Sequence, residues 1–153
     1  LLQALTSASG NAQISIVEAL GDGKFIEAAP LIEKLASSTD INLKKVAFYA
    51  LANIGMPSSE PILMNAASKA AYSYDETNST ASYLTYLGRL IENGNNAIAT
   101  KAANALLKNT PNAKQTPIRS AALKILTDVQ GAASTPTLIN ALRRTYINCH
   151  IAD

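Results

Sequence analysis

One set of apolar columns recurs four times along this chain of 153 residues, and no other feature of the sequence constrains the fold as strongly. The segments AQISIVEALG from Ala12, VAFYALANIG from Val46, YLTYLGRLIE from Tyr83 and AALKILTDVQ from Ala121 align without gaps. The first two columns are Ala12, Val46, Tyr83 and Ala121, then Gln13, Ala47, Leu84 and Ala122. The others are Ile16, Ala50, Leu87 and Ile125; Val17, Leu51, Gly88 and Leu126; and Leu20, Ile54, Ile91 and Val129. Successive segments start 34, 37 and 38 residues apart (46−12, 83−46 and 121−83). Within each, the filled positions fall at i, i+1, i+4, i+5 and i+8, one face of a 3.6-residue helix. An amphipathic helix returning at this period is the mark of a repeat architecture.

A second helix is expected after each first one. The intervening GDGKF, GMPSS, NGNN and QGAAS carry glycines that can take the left-handed conformation ending a helix. The partner segments are APLIEKLAS (29–37), EPILMNAAS (60–68), TKAANALLK (100–108) and TPTLINALR (135–143). Pro30, Pro61 and Pro136 stand near three of these starts, where a missing amide hydrogen costs nothing. Ser59 and Thr135 are expected to cap two of them, and Thr116 before Pro117 repeats the signal on a first helix. No strand signal interrupts the pattern. A lone hairpin cannot bury its own stripe, so neighbours must stack and share a core.

These residues carry a resemblance. ALANIG (50–55) is similar to the end of the first helix in HEAT-like repeats, with EALG (18–21) as a shorter match, and APLIEKL (29–35) and TPTLINAL (135–142) are similar to the start of the second. The resemblance covers residues 11 to 144 and implies an all-α, right-handed alpha-solenoid of about four HEAT-like hairpins. The expected organisation is a single domain with repeats at 11–37, 40–69, 79–108 and 116–144. Residues 1–8 resemble the end of a preceding repeat and 146–153 the start of a following element, so a piece of a longer chain is expected, with apolar end faces open to self-association. Repeat three departs most from the pattern: Gly88 stands in a column of large residues and no proline opens its second helix.

Composition narrows function mainly by exclusion. A hydrophobic content of 48% with 16% charged residues suits a folded chain. No apolar run nears the roughly 20 residues that span a bilayer. A net charge of +2 is mild for a dedicated nucleic-acid binder. Cys149 is the single cysteine and His150 beside it the single histidine, so neither a cysteine-rich zinc site nor a histidine-dependent triad is expected elsewhere. GDGK (21–24) reads as a turn, Asp75 and Glu76 as a solvated loop pair, and NST (78–80) fits a glycan acceptor only in a secretory-pathway protein. No catalytic residue, metal site or cofactor is expected.

Two surface features remain as candidates. Tyr49, Tyr72, Tyr74 and Tyr86 surround the insertion between repeats two and three. Since 86−49 equals one 37-residue spacing, Tyr49 and Tyr86 are expected side by side on adjacent first helices, as a partner-binding patch or as an anchor for the insertion. Tyr83 is expected in the core near Gly88. Lys69, Lys108, Arg143 and Arg144 end second helices and form a candidate anion-binding ladder, or simply complement helix dipoles. The favoured function is a non-catalytic protein-interaction or scaffold segment of a larger protein; the resemblance extends to accessory segments of bacterial glycan-processing proteins outside the cytoplasm, with a cytoplasmic setting as the alternative. A nucleic-acid-binding solenoid of the DNA-glycosylase type and a bilin-lyase-type enzyme are the alternatives that the resemblance brings with it.

Overall fold

The computed structural model describes residues 2–111 and 115–141. Helices account for nearly all of the regular structure, and there is no strand among the described residues. The chain divides into two compact units, Leu1–Asn95 and Asn96–Asp153.

The first unit contains α1 (Leu2–Ser7), α2 (Gly10–Asp22), α3 (Ala29–Leu35), α4 (Ile41–Ile54), α5 (Glu60–Lys69) and α6 (Ser79–Glu92). The first helices α2, α4 and α6 stack in order, while α3 lies against α4 and α5 against α6. Each second helix therefore packs on the first helix of the next repeat. Helix α1 adds Leu5, buried, to the exposed start of α2. In the second unit α7 (Asn96–Asn109) packs on α8 (Thr116–Gln130), and residues 135–141 are helical after a 3-10 turn at Gly131–Ser134.

The boundaries follow local chemistry. Asp40 caps α4 by accepting the amides of Asn42 at 2.8 Å and Leu43 at 3.2 Å, and Gly55 ends that helix with φ of 70°. In GDGKF the left-handed residue is Lys24, not a glycine. Gly23 serves another purpose, because a β-carbon there would lie 2.3 Å from the Phe25 ring. Ser59 and Thr135 do not act as the expected caps. A 3-10 turn leads into both of these second helices, and the two hydroxyls point away, that of Ser59 to Glu33 and that of Thr135 to the Ala132 carbonyl.

The columns fill the core in repeat two, where Val46, Ala47, Ala50, Leu51 and Ile54 are buried, and in part in repeat four, where Ala122, Ile125 and Leu126 are buried but Ala121 and Val129 only half-buried. Ala12 is exposed instead, at the edge of the array. Repeat three needs a correction of one residue. Leu43, Val46, Ala47, Ala50, Leu51 and Ile54 are buried on α4, and Ser79, Ser82, Tyr83, Tyr86, Leu87 and Leu90 are buried on α6. Every pair is separated by 36 residues (79−43 through 90−54), not 37. In this register Gly88 matches the small Ala52, and Tyr86 matches the buried Ala50 rather than Tyr49.

Two glycines give opposite expectations. A β-carbon on Gly21 would come within 2.6 Å of the Ala50 α-carbon, whereas one on Gly88 meets nothing within 4 Å. Chemical denaturation should show Gly21→Ala destabilised by about 1–3 kcal/mol through forced separation of α2 and α4. Gly88→Ala should gain about 0.5–1 kcal/mol from helix propensity.

Candidate functional site

The long linker between α5 and α6, residues 70–78, organises this part of the first unit. It starts by turning through two left-handed residues, Ala71 and Tyr72, with the Tyr72 amide closing on the Ala67 carbonyl at 2.9 Å. Asp75 then gathers the far end. Its carboxylate accepts the Thr77 hydroxyl at 2.5 Å, the Ser79 amide at 2.8 Å and the Ser79 hydroxyl at 3.0 Å, which occupies the first amide of α6. The Thr80 hydroxyl ties back to the Ser73 carbonyl at 2.8 Å. Partial burial opposes ionisation of Asp75, but these hydrogen bonds outweigh it and hold the carboxyl below its usual range.

The tyrosines separate into two kinds. Tyr72, Tyr83 and Tyr86 are buried, at 7%, 1% and 0% exposure, while Tyr74 is 86% exposed and Tyr49 42%. The rings of Tyr83 and Tyr86 stack with centroids 6.4 Å apart. Their hydroxyls find half-buried partners: Tyr83 donates to the Glu60 carboxylate at 3.1 Å and Tyr86 to the Met56 carbonyl at 2.9 Å. Burial, helped by Glu60, pushes both phenols well above the usual tyrosine range. The surface pair expected of Tyr49 and Tyr86 is thus not formed, because the one-residue shift turns Tyr86 by about 100° into the core. Nor does Gly88 make room for Tyr83, since the space beside that glycine is empty. Tyr49 instead donates to Asp22 at 2.6 Å, joining α4 to the end of α2. That bond raises the Tyr49 phenol above its ordinary value.

The four basic residues of the expected ladder are distributed along the whole chain. Lys69 lies in the first unit and Lys108 in the second, and Arg143 and Arg144 fall outside the described residues, as do Cys149 and His150. Lys69 has a different setting. With Lys44 it lines a groove of about 610 Å³ between α3, α5 and the linker, floored by buried Phe48 and walled by Glu33 and Asp75. The two carboxylates are already engaged: Glu33 accepts the hydroxyls of Ser58 at 2.9 Å and Ser59 at 2.8 Å, and Asp75 holds Thr77 and Ser79. Neither lysine forms an ion pair among the described residues, where the ion pairs are Arg89 with Glu92 and Lys124 with Asp128. Sequence spacing could not reveal this groove, because Lys44 faces it from a first helix and Asp75 from the linker.

In the second unit, Arg119 of α8 donates to the Leu107 carbonyl in the last turn of α7 at 2.9 Å and to the Thr110 carbonyl just past its end at 2.7 Å. That arginine is structural glue rather than a surface cation. No helix among the described residues is long and apolar enough to cross a membrane.

A protein-family model described as HEAT repeats matches residues 1–82. No curated protein and no solved structure matches the chain.

Thermal and denaturant unfolding check the two roles assigned here. Tyr86→Ala should cost about 3–5 kcal/mol, as for other large buried rings. Asp75→Ala should cost about 1–2 kcal/mol through loss of the helix-terminal acceptor. Because the folded-state pKa of Asp75 is depressed, its stabilisation is present above the ordinary carboxylate range and lost as pH falls through the folded value. The stability gap between the parent protein and Asp75→Ala should therefore narrow below about pH 4.

Proposed function

Because the chain belongs to the HEAT repeat family, a helical-repeat scaffold typical of protein interaction, we propose that it is a non-catalytic segment that holds a protein partner in the groove between α3 and α5. The observation carrying this reading is the state of the charges around that groove. Glu33 and Asp75 are committed to hydroxyls and an amide of the chain itself, while the ammonium groups of Lys44 and Lys69 have no carboxylate partner among the described residues. A partner presenting carboxylate or carbonyl oxygens over an apolar side chain satisfies the lysines and covers the Phe48 floor. The volume, about 610 Å³, suits a few side chains of a polypeptide.

The wider setting we propose is a larger bacterial protein that processes glycans outside the cytoplasm, with this array as an accessory segment. Low charge, at 16% of residues, and many Asn, Ser and Thr side chains support that setting.

A photo-cross-linker at exposed Asn65, within the groove, should trap one protein in the native full-length context. With that partner purified, Lys44→Glu together with Lys69→Glu should weaken binding by about tenfold or more. The melting temperature should move by less than about 2 °C, since neither lysine holds the fold. Failure to cross-link any protein, or undiminished binding by the double variant, overturns the proposal.

A further inference from the structure

We propose that a second depression, on the first-helix face of α2, α4 and α6, is a binding subsite for a neutral carbohydrate. It measures about 460 Å³ and shares no lining residue with the groove that holds Lys69. The inference thus stands apart from the protein-partner reading.

Three properties of the lining select the ligand. The first is an oriented aromatic. Tyr49 is 42% exposed and faces this depression, and the 2.6 Å bond from its hydroxyl to Asp22 fixes the ring before any ligand arrives. A fixed ring loses little entropy on binding and offers a flat apolar face to the C–H side of a pyranose.

The second is a set of idle amides. Asn11, Asn42 and Asn78 are exposed and line the same space, and their side chains make no hydrogen bond to the described chain. They are not spent on helix capping: Asp40 caps α4, and Asn78 makes no side-chain cap bond to α6. A carboxamide donates and accepts at once, which is what an alcohol also does. Vicinal hydroxyls of a sugar match three such groups, whereas a phosphate or carboxylate uses only their donors.

The third is charge. Glu18 and Lys45 both line the depression and offset one another, so nothing selects a net anion or cation. The Glu18 carboxylate adds an acceptor, of the kind that takes a hydroxyl proton in a charge-assisted bond.

Isothermal titration of the chain with neutral cello-, xylo-, manno- and chito-oligosaccharides tests this, with inorganic phosphate and an acidic peptide run alongside. The expected result is saturable binding of at least one neutral series. Tyr49→Ala and Asn42→Ala should each weaken it by about tenfold, and Tyr49→Phe, which keeps the ring, by no more than about threefold. Lys69→Glu should leave it unchanged, which separates this site from the protein groove. Asn42→Ala removes no bond of the fold, so it decides the matter even if Tyr49→Ala unfolds. Absence of binding by every neutral sugar below about 10 mM overturns the proposal. So does full binding by Asn42→Ala, or Tyr49-dependent binding of phosphate or the peptide alone.

Discussion

Helix α4 is covered by α2, α3 and α6, and the remainder of the first unit is arranged around that fact. Eight of its fourteen residues are buried, more than one stripe of an amphipathic helix provides. Close approach on one side comes from Gly21 against Ala50, where there is no room for a β-carbon. On the other side α4 packs against α6, where Tyr86 occupies the position equivalent to Ala50, a large residue in place of a small one. Alternation of small and large residues lets successive first helices interdigitate, which is how a stack of hairpins obtains the core that each lacks alone.

The same alternation explains how far the sequence could be read. The helical period, the pairing of helices and the lack of strands among the described residues follow from apolar spacing, and the HEAT-like resemblance rested on the same positions. The register of the third repeat did not follow. Matching Tyr49 to Tyr86 equates two identical residues, yet it sets Gly88 opposite Leu51, a size mismatch that was the visible sign of a slip. Moving by one residue pairs Leu87 with Leu51, Leu90 with Ile54 and Gly88 with Ala52. A one-residue error rotates a helix face by about 100°, enough to turn a core tyrosine into an apparent surface one. Tyrosine permits the confusion because it is at home in either place, provided that its hydroxyl finds a partner. For Tyr86 that partner is a backbone carbonyl 30 residues away, which no local pattern announces.

Neither candidate site was legible as a motif. Both are made from residues that repeat spacing treats as unrelated: Lys44 with Lys69 and Asp75 in one, Asn11 with Asn42, Tyr49 and Asn78 in the other. What brings them together is stacking, which sets the same turn of successive helices side by side. Whether a polar side chain is available also depends on tertiary bonds. Glu33 and Lys44 look equally free in the sequence, but serine hydroxyls from the turn before α5 occupy only the carboxylate.

The linker before α6 connects the core to both sites. It runs over residues 70–78, against 36–40 for the linker before α4, and a longer segment must be restrained if it is to hold a defined course. Buried Tyr72 restrains it at one end, and Asp75 with Thr77 and Ser79 at the other. The stacked Tyr83 and Tyr86 fix the helix into which it leads. Asp75 and Thr77 form one wall of the groove that holds Lys69, and Asn78, the next residue, lines the depression on the first helices. The buried tyrosines therefore shape this region from the inside. The buried rings of Tyr72, Tyr83 and Tyr86 determine where the linker lies and so whether both surfaces keep their shape. It follows that substitutions at Tyr72 or Tyr86 should impair stability and both kinds of binding together, whereas those at Lys69 or Asn42 should separate them.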